Sequence, residues 1–453
     1  MKISKVIITL IIVLFLLGVV SFFFPKDGIT IGETHLSFPS LKEIFSPEEP
    51  QYADITSIIA NQNIDTTQHP KAKVIDQLND SIVEIELPNN DITYLDKFFA
   101  SLSEAKTNNQ SVRIIHYGDS QIEGDRITSY IRTRLQNTFG GSGQGEIPLH
   151  SHSNVYNVTY SYSEDLNFYS IIDNKNYSFH RFGLAQNTVL TPSKDANIIL
   201  RFYRPISTNL TLYCASRTAG ADIKIYSRDS LLTSYTFADS NSLHAIPIPH
   251  NKPLKQLTIH TTSPIELYSL DLANSTGVYV DNVSLRGSSG LGFNRNNTQF
   301  LHQFADKLNV KLLLLQFGIN AVPQDAEKVM TSYAYYKKGL IKQVKFLQNA
   351  FPDATIIMIG LSDRSIKKDN GYETNPNVKK ILAVQKAVAD SCGVAFWDLF
   401  TAMGGENSMP AWVLRDKPLA NKDFIHFNSL GASYVGEMFY KALENAYYRY
   451  QQR

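Results

Sequence analysis

The sequence predicts an α/β protein: a doubly wound, mostly parallel sheet, interrupted by an inserted antiparallel β-sandwich or jelly roll and preceded by a transmembrane helix. Three observations predict it. Apolar strand-like runs alternate with amphipathic helical patterns before residue 150 and again after residue 285. Between them lie short alternating or β-branched runs separated by Asn, Asp, Pro, Ser and Gly turns. Ahead of both stands a charge-free run over 6–24, with Lys2 and Lys5 before it and Pro25-Lys26 after it.

That first run makes a helix roughly 28 Å long, about the hydrocarbon thickness of a bilayer. A cleaved signal peptide has a shorter apolar core and a site of small residues. This run ends in Phe22-Phe23-Phe24, so 1–26 reads as an uncleaved signal anchor. The early lysines hold the amino terminus in the cytoplasm and send the rest of the chain across the membrane. Residues 27–92 are polar and weakly periodic, a stalk with one short helix near 53–61.

Of 453 residues, 43 are Lys or Arg and 42 are Asp or Glu, a balance that gives no field for nucleic acid. Twenty-four Tyr and 25 Phe exclude a disordered composition and suit sugar contacts as well as ordinary sandwich cores. Cys214 and Cys392 fall in different regions, which excludes a disulfide framework. His150-Ser151-His152 is read as a solvated loop, and neither a metal nor a cofactor is expected.

The α/β and inserted elements follow in order. Residues 94–102 have helical spacing, 112–115 form a buried strand, and a helix is expected over about 122–139, ended by a mobile loop at Gly140-Gly141-Ser142-Gly143. Strands are expected at 155–162, 198–203, 209–215, 223–227, 231–237, 257–261 and 265–272. Then come helix 298–308, strand 311–317, helix 332–349, strand 355–359, helix 378–390, strand 394–397 and a closing helix over 430–447. The expected division is therefore 93–149 and 280–453 for the α/β unit, with 150–279 inserted into it.

Chemistry is concentrated at four places along the chain. Gly118-Asp119-Ser120 ends the first strand, where a serine hydroxyl stands beside helix-N-terminal amides. Ser120 is the expected nucleophile, and Asp119 holds the turn through local hydrogen bonds. His426 is the expected base and Asp423, three residues earlier, the group that orients it, with Asn428 or Ser429 capping the next helix. Asn320 offers a side-chain amide to an oxyanion. Gly287 offers a backbone amide, with Gly290 competing for that part, and Ser120 offers its own.

In this order, Gly-Asp-Ser120, Gly287, Gly-x-Asn320 and Asp423-x-x-His426 resemble the four blocks of the SGNH (GDSL-like) hydrolase superfamily, over about 94–150 and 280–447. Gly118-Asp119-Ser120-Gln121-x-x-Gly124-Asp125, Phe139-Gly140-Gly141-Ser142-Gly143 and Phe396-Trp397-Asp398…Met403-Gly404-Gly405…Trp412 are similar to bacterial peptidoglycan O-acetylesterases and extracytoplasmic O-acetyltransferases. That resemblance implies a carbohydrate-binding-like insert at 150–279, a periplasmic catalytic domain on a single-pass inner-membrane anchor, and an acylated polysaccharide or peptidoglycan as partner. Two positions depart from it: Gln121 stands where relatives carry histidine, and Ala321 where an acidic residue is common. Both are assigned to the pocket rim. Met403 and Trp412 have two candidate places, the pocket or the core.

The leading expectation is a membrane-anchored carbohydrate O-acetylesterase. An O-acetyltransferase with the same triad and a membrane-bound O-acyltransferase partner is the alternative, and a non-catalytic glycan-binding protein a further one.

Overall fold

The computed structural model describes residues 3–25, 28–31, 34–36, 38, 40, 51–62, 64, 82–107, 110–173, 180–323, 325, 328–368 and 370–453. Much of the expected stalk lies outside the described residues. Ile3–Phe23 is a helix whose apolar stretch Lys5–Phe23 is long enough to cross a membrane and is almost entirely exposed.

A six-stranded sheet forms the centre, in the order Gly277–Ser284, Ser111–Gly118, Val310–Gln316, Thr355–Ile359, Ala395–Trp397, Ile85–Glu86. Its neighbours are parallel except for the last pair, which is antiparallel. Helices cover both faces, which is why the central strands are apolar throughout. Strand alternation sends Leu312 and Leu314 to one core and Leu313 and Leu315 to the other. Asp96–Thr107, Thr128–Phe139 and Ser429–Gln451 close the first core; Thr298–Leu308, Ala334–Ala350 and Asn377–Cys392 close the second. The doubly wound expectation is met.

One edge of this sheet is Gly277–Ser284, which the sequence pattern left inside the β-rich stretch and the turn after it. Its apolar run is broken by Asp281 and Asn282, whose polarity is answered by buried partners rather than by solvent. Between the helix Thr128–Phe139 and this strand the chain builds two antiparallel sheets. One joins Ser230–Thr236, Asp222–Ser227, Leu254–Thr261, Ala196–Ile206 and Val158–Tyr162. The other joins His244–Pro247, Thr211–Ser216, Ile265–Leu272, Asn187–Leu190 and Asn167–Ser170, with Gly145–Pro148 also paired to Ile265–Leu272. Ile198, Leu200, Leu212, Ile223, Leu257 and Leu267 pack between them. Four of these strands, Gly145–Pro148, Asn167–Ser170, Asn187–Leu190 and His244–Pro247, are too short to show a period in sequence.

Three expectations are corrected. The glycines at 140–143 are not a mobile loop: a Cβ at Gly143 would lie 2.2 Å from the Leu272 carbonyl oxygen, and one at Gly141 2.8 Å from the Val278 backbone. Their hydrogen side lets the chain pass tightly under the insert. His150 is not solvated, since its ring packs 4.4 Å from Phe168, and burial lowers its pKa to about 4. Residues 51–62 and 82–90, expected as linker, are docked on the α/β unit. Ile55 and Ile58 approach Gly404, and Ile85–Glu86 adds the edge strand.

Insert and sheet are tied by one buried cation. Arg113 is fully enclosed and donates to Asp271 of the insert at 2.8 and 3.1 Å and to Asp281 of the central sheet at 2.9 Å. The Asp281 carboxylate also accepts the Glu146 amide at 2.9 Å. Removing one member of such a buried set leaves uncompensated charge. Arg113→Ala is expected to destabilise the protein by about 3–5 kcal/mol. Urea unfolding should show the lower midpoint, and an unchanged midpoint would refute the tie.

Candidate active site

The strand Ser111–Gly118 ends between two parallel neighbours, with Gly118 paired to Ser284 on one side and Gln316 on the other. There is no room for a side chain here. A Cβ on Gly118 would sit 2.8 Å from Ile122 Cδ1 and 3.1 Å from the Gln316 carbonyl oxygen. Asp119 then donates its amide to Gln316 O at 3.3 Å, while its carboxylate accepts the Gln121 amide at 3.0 Å. This caps a short 3-10 turn, Ser120–Asp125. The helix expected from 122 begins only at Thr128, because Gly124 and Asp125 take left-handed conformations (φ 68° and 66°) that break it. Burial raises the Asp119 carboxyl to about 7, offset only in part by the Gln121 amide.

Ser120 Oγ lies 2.8 Å from His426 Nε2, and His426 Nδ1 lies 2.8 Å from Asp423 Oδ2. The three sequence-predicted residues are therefore in one hydrogen-bonded line. With Nδ1–H donating to the Asp423 carboxylate, Nε2 presents its lone pair to the Ser120 hydroxyl, which donates. Burial pushes the Asp423 carboxyl up, but the amide and imidazole of His426 and the amide of Ile425 outweigh it and hold the group below its usual value. The loop between them is strained: Phe424 has φ 56°, unusual for a bulky residue. A stacked Tyr372 ring, 3.5 Å between centroids, and the Ser365 amide, 3.1 Å from Phe424 O, keep it there. Asn428 caps the closing helix by accepting the Gly431 amide at 2.9 Å.

The two expected oxyanion donors come from neighbouring loops. Leu285 donates to Gly118 O at 2.7 Å and Ser284 Oγ to Asp119 O at 3.1 Å, which carries the Gly287 loop to the Ser120 corner. Gly287 has φ 80° and open space on its side-chain face, and among the described residues its amide meets no acceptor. The Gly290 amide, the other candidate, donates to Ser288 Oγ at 3.1 Å. Asn320 is exposed on the turn after Val310–Gln316 and donates one amide hydrogen to Ser288 O at 3.0 Å, while the other meets no acceptor among the described residues. Tyr336 Oη braces the same loop at Ser289 O, 2.9 Å away.

Gln121 is not on the rim. It is buried, and its side chain donates to Ile425 O at 2.7 Å and to Ser362 Oγ at 3.2 Å while accepting the Phe427 amide at 3.3 Å. It thus grips the backbone on both sides of His426. Arg126 completes the grip by donating to Ser120 O at 2.6 Å and Phe427 O at 2.9 Å. Sequence reasoning passed over Arg126, and a lone arginine in a broken turn carries no signal for such a role. Ala321 is half-buried on the Asn320 turn. Met403 and Trp412 belong to the core: both are fully buried, and Trp412 Nε1 donates to Met403 O at 2.8 Å. Among the described residues no cluster of His, Cys, Asp and Glu is arranged to hold a metal.

Fold and corner together define an α/β serine-hydrolase class. Residues 264–433 match the model of the GDSL-like Lipase/Acylhydrolase family. A solved structure of a peptidoglycan O-acetylesterase shares the fold at TM-score 0.63 and 21% identity, covering 78% of this chain and 96% of its own. Family two carbohydrate esterases from Cellvibrio japonicus (9% identity, 52% and 85% covered, TM-score 0.19) and Clostridium thermocellum (8%, 63% and 98%, 0.23) align far more loosely. No curated protein matches significantly.

Two outcomes follow from this geometry. Gln121→Ala should lower kcat on an acetyl ester by roughly ten- to a hundredfold with little change in KM, because His426 loses its grip but the binding surface does not. An unaltered kcat would show the grip to be dispensable. Asp119 ionises at higher pH in the fold than its ordinary 3.8, so its contribution to stability is present at low pH and lost as pH rises toward about 7. Asp119→Asn should therefore gain in melting temperature relative to wild type between pH 5 and pH 8; a constant difference across that range would contradict it.

Proposed function

We propose that this protein is a membrane-anchored, extracytoplasmic serine esterase that removes O-acetyl groups from a cell-wall or surface glycan. The observation that carries the reading is the line Ser120 Oγ, His426 Nε2, Asp423 Oδ2, each contact 2.8 Å, at the carboxyl ends of parallel strands. Ser120 attacks the acetyl carbonyl while His426 takes its proton and Asp423 stabilises the imidazolium. The carbonyl oxygen, now negative, is met by the Gly287 and Ser120 amides and the second Asn320 amide hydrogen. Collapse returns the proton through His426 to the sugar oxygen, and water then releases acetate by the same route. The match to the GDSL-like family, the exposed apolar helix Ile3–Phe23 and the fold shared with a peptidoglycan O-acetylesterase support this reading.

The test is acetate release from O-acetylated peptidoglycan and from acetylated xylan by the full-length protein in detergent. Ser120→Ala should abolish release, and Asn320→Ala should lower kcat about a hundred- to a thousandfold. Background rates from wild type on every ester would sink the enzyme reading and leave a glycan-binding protein. Acetyl transfer to an added glycan acceptor, in place of free acetate, would mark a transferase.

A further inference from the structure

We infer that the rim of this site recognises a carboxylate carried by the acylated glycan, through Arg364 assisted by Arg286; the inference rests on the esterase reading above. Arg364 stands between two parts of the site. Its Nη1 donates to Ile319 O and Val322 O, both at 3.3 Å, and so brackets Asn320. Its neighbour Ser365 donates to Phe424 O inside the Asp423–His426 loop.

Only Nη1 is used. Among the described residues Nε and Nη2 meet no protein acceptor and neither is sealed from solvent; the Asp423 carboxylate is near enough to be felt electrostatically but makes no direct ion pair with Arg364. Nε and Nη2 share one edge of the guanidinium, the edge that takes a carboxylate through two parallel hydrogen bonds. Half-burial has already removed part of the hydration of that edge, so an anion bound there competes with less water than on an open surface. Arg286 directly precedes Gly287, its side chain is 62% exposed, and its one ion-pair contact, to Glu123, is long at 3.5 Å. A guanidinium therefore flanks each expected oxyanion donor, Arg286 beside Gly287 and Arg364 beside Asn320. Arg126 is different, being committed to the carbonyls of Glu123, Phe427 and Ser120. A neutral glycan leaves the Arg364 edge unanswered. A glycan with carboxylates, on the sugar ring or on an attached lactyl-peptide stem, answers it.

Full-length protein in detergent is compared on O-acetylated peptidoglycan fragments, O-acetylated oligogalacturonides and O-acetylated xylo-oligosaccharides, which carry stem, ring and no carboxylates. Wild type should prefer a carboxylated substrate by about tenfold or more in kcat/KM. Arg364→Gln should lower that preference about tenfold, chiefly through KM, Arg286→Gln by less, and Arg364→Lys should retain part of it. The preferred carboxylated substrate identifies the source of the anion. Equal losses on neutral and carboxylated substrates would mean that Arg364 only braces the Asn320 turn, and would overturn the proposal, as would a wild type without preference. Calorimetric binding of the deacetylated, carboxylated products to Ser120→Ala, with and without Arg364→Gln, judges recognition apart from turnover. If wild type hydrolyses nothing, the esterase reading fails, and tenfold weaker binding in the double variant still sustains this one.

Discussion

The arrangement depends on one steric constraint: the chain must turn at Gly118 in a space that admits no side chain. Parallel strands on both sides end level with it, and Ile122 Cδ1 and Gln316 O would both meet a Cβ there. Because the turn is this tight, Asp119 bonds back to Gln316 and forward to Gln121, and the Ser120 hydroxyl is left at the sheet's carboxyl edge. The same edge receives the Gly287 loop from one neighbouring strand and the Asn320 turn from the other. Three loops meet because three strands end together, a general property of doubly wound sheets.

What the sheet does not supply is the His426 loop, which comes from the far end of the chain. It is held by side chains of the serine block and by an isolated antiparallel bridge between Ala420 and Phe427. Gln121 takes the backbone before and after His426, and Arg126 links Ser120 O to Phe427 O. The left-handed Phe424 is then kept in place by Tyr372 on a hairpin, Ser365–Lys368 with Gly371–Thr374. Local strain of this kind persists only where the surroundings over-determine the conformation. Here they do so from two elements, the serine block and the hairpin, so the distance between Ser120 and His426 is set by packing around the loop.

The insert is integrated by similar means. Its strand Ile265–Leu272 supplies Asp271 to Arg113, a residue of the central strand, while glycines at 141 and 143 allow the two units to close with almost no gap. A buried guanidinium between two carboxylates is weak evidence of net stability but strong evidence of a fixed orientation, since any rotation would leave charge unpaired. The residues after the insert lead straight into Gly277–Ser284 and the Gly287 loop. Orientation of the insert is thereby coupled to one wall of the site.

The sequence by itself determined the alternation of strands and helices, the β-rich interruption, the apolar amino-terminal helix and the order of Ser120, Asn320, Asp423 and His426. These are legible because periodicity and motif spacing are local or strictly ordered along the chain. Only tertiary structure decided that Gln121 is buried and grips the histidine loop, that Met403 and Trp412 are core, that the Gly290 amide bonds Ser288, and that Gly277–Ser284 is an edge strand of the parallel sheet despite Asp281. For Gln121 and Asp281 the deciding fact is a partner distant in sequence: Ile425 and Phe427 for Gln121, Arg113 for Asp281. A polar residue's place, at a rim or in an interior, is set by whether a partner meets it there, and a single sequence does not carry that information.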